Sequence, residues 1–395
     1  MMGHRKKIVI AGASGLVGGA ALARFGKRDD WDVVAISRRP PLMPLGNATH
    51  VSIDLGNPED CARSAHALSN ATHVVYAALS ERNDDLFAGW TDPQQIALNE
   101  AMLINLMEPL IQGSPGLQHV SLIHGGKAYG VHLRDQKLKM PLHEGLPRHA
   151  GDNFYHRQED YITQRQRGSS WSWTIFRPGG IWGAAIGANM NSLLVLAVFA
   201  CLLKEAGRGM PVPSGYSAYN EPTDVDLVAE AVEWAGTAPT ARNEIFNIAN
   251  GDILAWHDLF ELTADILNMP LEPPRKFDMR EEIENLSHLW PAMVDRYRLQ
   301  APRDLNELLG TSLQIAGMLS NDVPPEDVLR WGLLSTIKIR RAGFTGCVSS
   351  FDSLRKYIER YQDLRVIPTF SQSRPRKSVA GGANIPIVSS EIVRP

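Results

Sequence analysis

The sequence is poor in cysteine, and this scarcity excludes several kinds of site. Its 395 residues include three cysteines, Cys61, Cys201 and Cys347, which are far apart and odd in number, so we expect no disulfide framework. No spacing of cysteine and histidine resembles a zinc site. The formal net charge of -3 lacks the basic excess that would hold nucleic acid electrostatically.

Long apolar runs are also missing. The most apolar stretch, residues 193–203, is too short to cross a bilayer, because a membrane helix needs about 20 residues. We expect this stretch to form a buried helix in the substrate half, and two roles stay open for it, a lining of the pocket and a subunit contact in a homodimer. Residues 1–7 lead directly into an apolar strand rather than into a signal-type segment, so we expect a soluble, cytoplasmic protein without a signal peptide.

A glycine-rich turn follows a short apolar strand at residues 8–11. We expect Gly12 to make the tight turn from strand to helix, Gly15 to let the backbone approach a pyrophosphate, and Gly18 to let the helix pack closely on the strand. The phosphate would then meet free N–H groups at a helix N-terminus. A purely structural turn is the alternative. The other predicted cofactor contacts in this turn are Ser14, Leu16 and Val17.

Two arginines stand at the end of the second predicted strand, residues 31–36. A carboxylate there would bind the ribose hydroxyls of NAD, but this chain has Ser37, Arg38 and Arg39. Because a guanidinium can hold a phosphate with a planar fork of donors, these residues favour the 2′-phosphate of NADPH over NADH. A solvated basic turn is the alternative.

Two further predicted strands add cofactor contacts. Residues 51–55 form a third predicted strand whose carboxylate is expected to face the adenine. Residues 73–79 form a fourth, and its small terminal residues would let a cofactor lie against the backbone. The expected contacts are Asp54 and Leu55 from the third strand, and Ala77 and Ala78 from the fourth.

A lysine lies just past the end of the fifth predicted strand, residues 119–123. In open parallel sheets, ligands bind outside the carboxyl ends of the strands. A lone lysine in a loop is usually solvated. Its position after two glycines at a strand end nevertheless marks Lys127 as a candidate site residue.

Four segments carry a specific resemblance, namely residues 124–130 (HGGKAYG), 143–148 (HEGLPR), 153–160 (NFYHRQED) and 173–183 (WTIFRPGGIWG). In this order they resemble successive motifs of the progesterone 5β-reductase and iridoid synthase (PRISE) family of extended short-chain dehydrogenases/reductases. The resemblance runs from about Lys7 to about Pro368 and includes Trp331 and residues 343–344. It implies NADPH-dependent 1,4-reduction of an activated C=C bond.

The family's catalytic tyrosine and lysine fall on Tyr155 and Lys127. Where the family commonly has a second tyrosine, this chain has His156, and four residues after Tyr155, where a short-chain dehydrogenase normally has its lysine, it has Glu159. We expect Lys127 to replace the missing lysine, because a nearby ammonium favours the ionised form of a phenol. Tyr155 would then stabilise or protonate an enolate. The alternative for Tyr155 is a packing role beside Phe154.

Charged residues near this tyrosine have more ordinary expected roles. We expect Glu159 and Asp160 to be carboxylates on the helix surface or partners of Arg157 and Arg165. Arg177 is expected to be a structural ion-pair residue. It begins a segment that resembles the RPxxIYG segment of extended dehydrogenases and is expected to shape a loop against the nicotinamide. The expected cofactor contacts in this segment are Pro178, Gly179 and Ile181.

The order of strand and helix patterns predicts an α/β fold with a doubly wound parallel sheet of Rossmann type, and a smaller, mostly helical substrate-binding domain. We assign residues 1–180 to the dinucleotide-binding domain, to which a strand near 243–250 returns. Residues 181–370 form the substrate-binding and capping region. Residues 371–395 are rich in Ser, Gly, Pro and Arg, which predicts a disordered tail.

These features predict an NADPH-dependent reductase that acts on a small-molecule enone or a related carbonyl compound, without a nucleic acid or membrane partner. The family's steroid and monoterpenoid substrates do not transfer, because the substrate pocket cannot be matched residue by residue. An NADPH-dependent carbonyl reductase or sugar-nucleotide epimerase is one alternative, although such enzymes usually keep the Tyr-xxx-Lys pair. A non-catalytic NADPH-binding sensor is another.

Overall fold

The structure of the protein is a computed structural model that describes residues 5–133, 136, 138–329 and 333–370. In these residues the strands are β1 (Lys6–Ala11), β2 (Trp31–Ile36), β3 (Thr49–Val51), β4 (His73–Tyr76), β5 (His119–Ile123), β6 (Ser172–Pro178), β7 (Gly180–Trp182), β8 (Tyr219–Asn220), β9 (Pro222–Asp224), β10 (Glu244–Ile248) and β11 (Leu254–Ala255). The α-helices are α1 (Leu16–Phe25), α2 (Pro58–Arg63), α3 (Ala65–Leu68), α4 (Leu86–Gly89), α5 (Pro93–Gly113), α6 (Phe154–Gln166), α7 (Ser192–Glu205), α8 (Val225–Ala235), α9 (Asp258–Ile266), α10 (Met279–Leu286), α11 (Trp290–Tyr297), α12 (Leu305–Leu309), α13 (Ala316–Ser320), α14 (Ile337–Arg341) and α15 (Ser350–Asp363). Short 3₁₀ helices span Gly126–Tyr129, Pro239–Ala241, Ser287–Leu289, Gly310–Ile315 and Pro325–Asp327.

Seven of these strands form one sheet in the order β10-β6-β5-β4-β1-β2-β3. All neighbouring strands in it run parallel. The chain builds outward from β1 in both directions, so the switch point of a doubly wound sheet lies beside β1. The predicted α/β fold is confirmed.

The apolar run of β1 is explained by helices on both faces of the sheet. Ile8 and Ile10 belong to one core, which includes buried residues of α1, α7 and α8, whereas Val9 and Ala11 belong to the opposite core under α5 and α6. Successive side chains of a strand point to opposite faces. A strand buried on both faces therefore shows a continuous apolar run rather than an alternating pattern.

The register of the sheet brings the carboxyl ends of its central strands to one edge. Ala11 at the end of β1 lies beside Ile36 of β2 and Tyr76 of β4. At the end of β5, Ile123 lies beside Phe176 of β6. The loops that follow these strands therefore open on the same side of the molecule.

Two strands are shorter than the sequence predicted. The third spans Thr49–Val51 and shares only Val51 with the predicted range of 51–55, and the fourth ends at Tyr76 rather than at residue 79. The residues that we expected at these strand ends lie in the following loops, because backbone pairing stops where the neighbouring strands end. They remain at the edge where the loops meet.

The most apolar stretch forms α7, and residues 193–203 are all buried within the single chain. The helix packs against α9, α10, α13 and α15. The predicted buried helix is confirmed, whereas neither a pocket lining nor a subunit contact fits these residues, because the single chain already buries all of them. Among the helices described, none is long and apolar enough to cross a membrane.

The chain returns to the sheet after residue 181. β10 pairs with β6 at the edge, and residues 244–248 lie within the segment where the sequence predicted a returning strand. The division into residues 1–180 and 181–370 stays a proposal. The predicted tail, residues 371–395, and Trp331 lie outside the described residues.

Candidate active site

A cavity of about 1620 Å³ lies at the carboxyl edge of the sheet. Its lining includes the loops after β1, β2, β4, β5 and β6, together with residues 304–319 from the capping region. A pocket for a single small molecule usually measures about 300–1,000 Å³. The cavity therefore has room for a dinucleotide and a second ligand.

The glycine turn has the geometry of a phosphate cradle. Gly12 has a φ of +83°, and a Cβ at this position would lie 2.6 Å from the carbonyl oxygen of Ala77. Helix α1 begins after Gly15, and no side chain caps its N-terminus. The first N–H groups of α1 are thus available to an anion, as a pyrophosphate site requires. Every predicted contact in this turn lines the cavity except Gly18.

Gly18 lies behind the cradle, where α1 crosses the turn. A Cβ on Gly18 would lie 2.1 Å from the carbonyl oxygen of Gly12, which no side chain can satisfy without a backbone shift. We expect Gly18→Ala to lower the free energy of unfolding by about 1–3 kcal/mol and to weaken binding of NADPH. Thermal unfolding and a cofactor titration measure the two effects.

The neighbouring glycine provides the control for that substitution. A Cβ on Gly19 would meet the side chain of Met43 at 3.5 Å, an ordinary contact. Gly19→Ala should leave cofactor binding unchanged and should stabilise the helix by about 0.5–1 kcal/mol, because alanine has less backbone freedom to lose. Equal stability and equal cofactor affinity of Gly18→Ala and Gly19→Ala would contradict the packing role of Gly18.

The two predicted phosphate-binding arginines line the cavity with exposed side chains. Ser37 shapes the turn that carries them, since its hydroxyl donates to the carbonyl oxygen of Arg39 at 2.6 Å. The guanidinium of Arg39 donates to the carbonyl oxygen of Gly187 at 3.2 Å. Within the described residues, neither Arg38 nor Arg39 has a carboxylate partner, so both remain available to a phosphate.

The remaining predicted cofactor contacts are brought to the same cavity. Asp54 closes a local turn, where its carboxylate accepts from the N–H of Gly56 at 3.0 Å. The other predicted contacts that line the cavity are Leu55, Ala77, Ala78, Pro178, Gly179 and Ile181. Their roles toward a cofactor remain predictions.

Tyr155 lies in the first turn of α6 and is only 7% exposed. Its ring stacks on that of His124 at the end of β5, with centroids 4.5 Å apart and planes at 22°. Its hydroxyl faces the backbone of Gly125, since a Cβ added to Gly125 would lie 3.6 Å from the hydroxyl oxygen. The phenol therefore opens into the cavity just past the end of β5, and Lys127 lines the same cavity.

Asn153 joins the tyrosine to the lysine. Its side-chain oxygen accepts from the N–H of Tyr155 at 2.8 Å and so caps α6, while its amide nitrogen donates to the carbonyl oxygen of Lys127 at 2.9 Å. An Asn cap suits a helix start because its oxygen replaces a missing backbone acceptor. The same residue thus begins the helix and holds the turn that carries Lys127.

Lys127 forms a buried ion pair that the sequence did not predict. Its ammonium donates to Glu81 at 2.8 Å and lies 4.8 Å from the ring centroid of Trp90. Burial lowers the pKa of Lys127, and the Glu81 carboxylate counteracts this shift. The one signal for Glu81 in the sequence is a carboxylate shortly after the small residues that follow β4.

The pKa of Tyr155 shifts opposite to the expected direction. Burial raises this pKa above its ordinary value, and the Glu81 carboxylate raises it further. Our expectation rested on a lysine whose charge acts on the phenol alone. In the structure, the charge of Lys127 is paired with Glu81.

Glu159 has other partners than those predicted. Its carboxylate pairs with Arg148 at 2.8 Å and with the buried Arg177 at 3.0 Å. Arg157 and Arg165 instead bind carboxylates on neighbouring segments, namely Glu100, Asp152 and Glu108. Helix α6 directs Glu159 away from the cavity toward β6, where it neutralises Arg177.

His156 does not line the cavity. Its ring hydrogen-bonds to the carbonyl oxygen of Ala128 at 3.0 Å and packs against His149, with centroids 4.8 Å apart. Burial lowers the pKa of His156. The departure from the family motif thus falls on a residue that supports the turn around Lys127.

Part of the cavity lining is apolar and includes Trp90, Val131, Met190, Ile315 and Met318. Arg280 and several residues between 304 and 319 of the predicted capping region also line the cavity, and the assignment of a cap stays a prediction. Trp290 does not line the cavity, since it is fully buried and donates to the carbonyl oxygen of Pro302.

Comparison with known proteins gives a family match and a fold match. Residues 61–252 match the model of the PRISE-like Rossmann-fold domain. An (S)-8-oxocitronellyl enol synthase from Nepeta racemosa is 28% identical over 386 residues, which cover 91% of this chain and 92% of that protein. A 3-oxo-Delta(4,5)-steroid 5-beta-reductase from Arabidopsis thaliana is 27% identical over 383 residues, which cover 91% and 92%.

Solved structures support the same fold. A UDP-glucose 4-epimerase from Thermotoga maritima superposes with a TM-score of 0.61 at 16% identity and covers 90% of this chain and 99% of its own. At this identity the likeness concerns the fold alone. The match of residues 61–252 to the PRISE-like Rossmann-fold domain, and the similarity to these two relatives, agree with the family that the sequence motifs indicated.

Proposed function

We propose that this oxidoreductase uses NADPH to reduce the activated C=C bond of an α,β-unsaturated carbonyl compound. The observation that carries the proposal is a buried phenol, Tyr155, that opens into the same cavity as an uncapped, glycine-lined helix N-terminus. The Arabidopsis relative is named as a reductase of a 3-oxo-Delta(4,5)-steroid, and reduction of such an enone belongs to the same reaction class.

The residues fit a nicotinamide dinucleotide. Gly12 makes the left-handed turn against the backbone of Ala77, a Cβ on Gly15 would meet only the carbonyl oxygen of Gly12 at 3.3 Å, and α1 offers its N-terminus to the pyrophosphate. Arg38 and Arg39 would hold the 2′-phosphate that distinguishes NADPH from NADH. When bound, the cofactor supplies a hydride.

Tyr155 is the residue that would manage the charge created in the substrate. A new C–H bond at the β-carbon displaces the π electrons of the C=C bond toward the carbonyl oxygen and leaves an enolate. The Tyr155 hydroxyl would donate a hydrogen bond or its proton to that oxygen. Because its pKa is raised, the phenol stays protonated and available as a donor across the physiological pH range.

The geometry favours this reaction over the alternatives. A carbonyl reductase or an epimerase usually has a lysine four residues after its tyrosine, but here Glu159 points to Arg177. A cofactor sensor without turnover would have no use for a donor directed into the cavity. The apolar part of the cavity lining, which includes Trp90, Ile315 and Met318, suits a substrate that is mostly hydrocarbon.

Product analysis tests the proposal. Purified protein is incubated with NADPH and a panel of cyclic and open-chain enones, and NADH serves as the control. We expect saturated carbonyl products that form faster with NADPH. An allylic alcohol would contradict the proposal in favour of carbonyl reduction, and tight NADPH binding without turnover on every enone would favour the sensor.

A further inference from the structure

Glu81 is a buried carboxylate at the active site to which the proposed reaction assigns no role. Its side chain is 0% exposed, and its two oxygens accept from the ammonium of Lys127 at 2.8 Å and from the side chain of Gln95 at 3.0 Å. Both Glu81 and Lys127 line the cavity beside Tyr155. A carboxylate buried this deeply is costly unless it is paired and hydrogen-bonded, and here both conditions hold.

The loop that carries Glu81 is fixed to helix α5. Gln95 accepts from the N–H of Arg82 at 2.8 Å, and Asn99 exchanges two hydrogen bonds with the backbone of Ser80, each 2.8 Å. The carboxylate is therefore held between α5, through Gln95, and the 3₁₀ helix that carries Lys127. Such support is typical of a residue that positions another group.

We propose that Glu81 is a positioning residue that holds the Lys127 ammonium and neutralises its charge, so that Tyr155 acts on the enolate oxygen as a neutral phenol. The inference rests on the proposed function. An ammonium without a partner would favour the phenolate, which cannot donate a proton. A neutral Lys127–Glu81 pair preserves the donor and still presents N–H groups to the cavity. The raised pKa of Tyr155 agrees with this arrangement.

The other titratable groups around Tyr155 do not complicate the prediction. His124 stacks on its ring from the end of β5, while His149 and His156 lie behind the turn that carries Lys127. Burial lowers the pKa of all three histidines, that of His124 well below its ordinary value. Above neutral pH these rings are uncharged, which leaves the Glu81 carboxylate as the charged group that acts on the phenol.

The test uses Glu81→Gln, which keeps the shape of the side chain and removes its charge. The ultraviolet absorbance of tyrosinate is followed as a function of pH in Glu81→Gln and in the parent protein. The curve of the matching Tyr155→Phe variant is subtracted from each, which leaves the ionisation of Tyr155 alone. We expect Tyr155 to ionise in Glu81→Gln at a pH that is lower than in the parent protein by about one unit or more. The rate of enone reduction should then fall at alkaline pH, where the phenol is lost, and the Kd for NADPH should stay unchanged.

Three further variants keep the test decisive. Glu100→Gln removes a carboxylate that pairs with Arg157 outside the cavity. It should alter neither the Tyr155 titration nor the dependence of the reduction rate on pH. If Glu81→Gln does not fold, Lys127→Met and Lys127→Met/Glu81→Gln are compared, because only the Glu81 charge differs between them. Tyr155 should ionise at a higher pH in Lys127→Met than in Lys127→Met/Glu81→Gln.

An unchanged Tyr155 titration in a folded Glu81→Gln protein would overturn the inference, as would a loss of rate that is equal at every pH. The titration needs no turnover. If no enone were reduced but the titration still shifted, the proposed function would fail while the electrostatic role of Glu81 stood.

Discussion

Tyr155→Phe should lower the rate of enone reduction by about 10²–10⁴-fold and leave the Kd for NADPH unchanged. The substitution removes the hydroxyl that would stabilise or protonate the enolate. It keeps the ring that stacks on His124 and packs beside Phe154, so the fold and the cofactor site stay intact. Steady-state kinetics and an NADPH titration measured on the same preparation separate the two effects.

The size of this effect should depend on the substrate. A strongly electrophilic enone needs less help from an acid, so the loss should be smallest for the most activated compounds and largest for the least activated. Tyr161→Phe is the matched control, because Tyr161 lies on the same helix and its hydroxyl donates to Glu108. Equal activity of Tyr155→Phe and the parent protein across several enones would refute the donor role.

The sheet and the glycine turn could be predicted from the sequence because their signals are local. A continuous apolar run followed by glycines at three-residue intervals defines a strand, a turn and a helix within about twenty residues. The close approaches at Gly12 and Gly18 follow from that order, and in the structure both positions exclude a side chain. The ends of β3 and β4 were predicted less well, because pairing between strands decides where a strand stops.

The ion pairs of the site could not be predicted, because each joins residues that are distant in the sequence. Glu81 and Lys127 follow different strands and meet only because β4 and β5 are neighbours in register. The partner of Glu159 is likewise decided by β6, which brings Arg177 under helix α6. The sequence analysis instead named Arg157 and Arg165, which lie nearer in sequence but bind other carboxylates.

In the proposed mechanism, Tyr155 acts without a lysine on its own helix. In the usual arrangement one helix carries both residues, and its geometry sets their distance. Here Asn153 connects α6 to the turn that carries Lys127 through one hydrogen bond on each side. The lysine is thereby supplied from the end of β5, and the position on α6 is free for a carboxylate that neutralises Arg177.

Reversing the charge of Arg38 and Arg39 should weaken NADPH binding by at least about 10²-fold and affect NADH far less. Each charge-assisted hydrogen bond to a phosphate contributes about 1.5–3 kcal/mol, and two glutamates would add repulsion. Both side chains are exposed at the cavity and lack carboxylate partners in the described residues, so the substitution should not disturb the fold.

Titration with each nucleotide measures the effect directly, and a preference that moves from NADPH toward NADH is the expected result. The control reverses Arg63 and Arg355, two exposed arginines outside the cavity, which should change the net charge equally without altering either affinity. Equal loss of both nucleotides would mean that the arginines act through general electrostatics rather than on the 2′-phosphate. Unchanged NADPH binding would refute the cofactor assignment itself, because Arg38 and Arg39 are the charged groups that the assignment places at that phosphate.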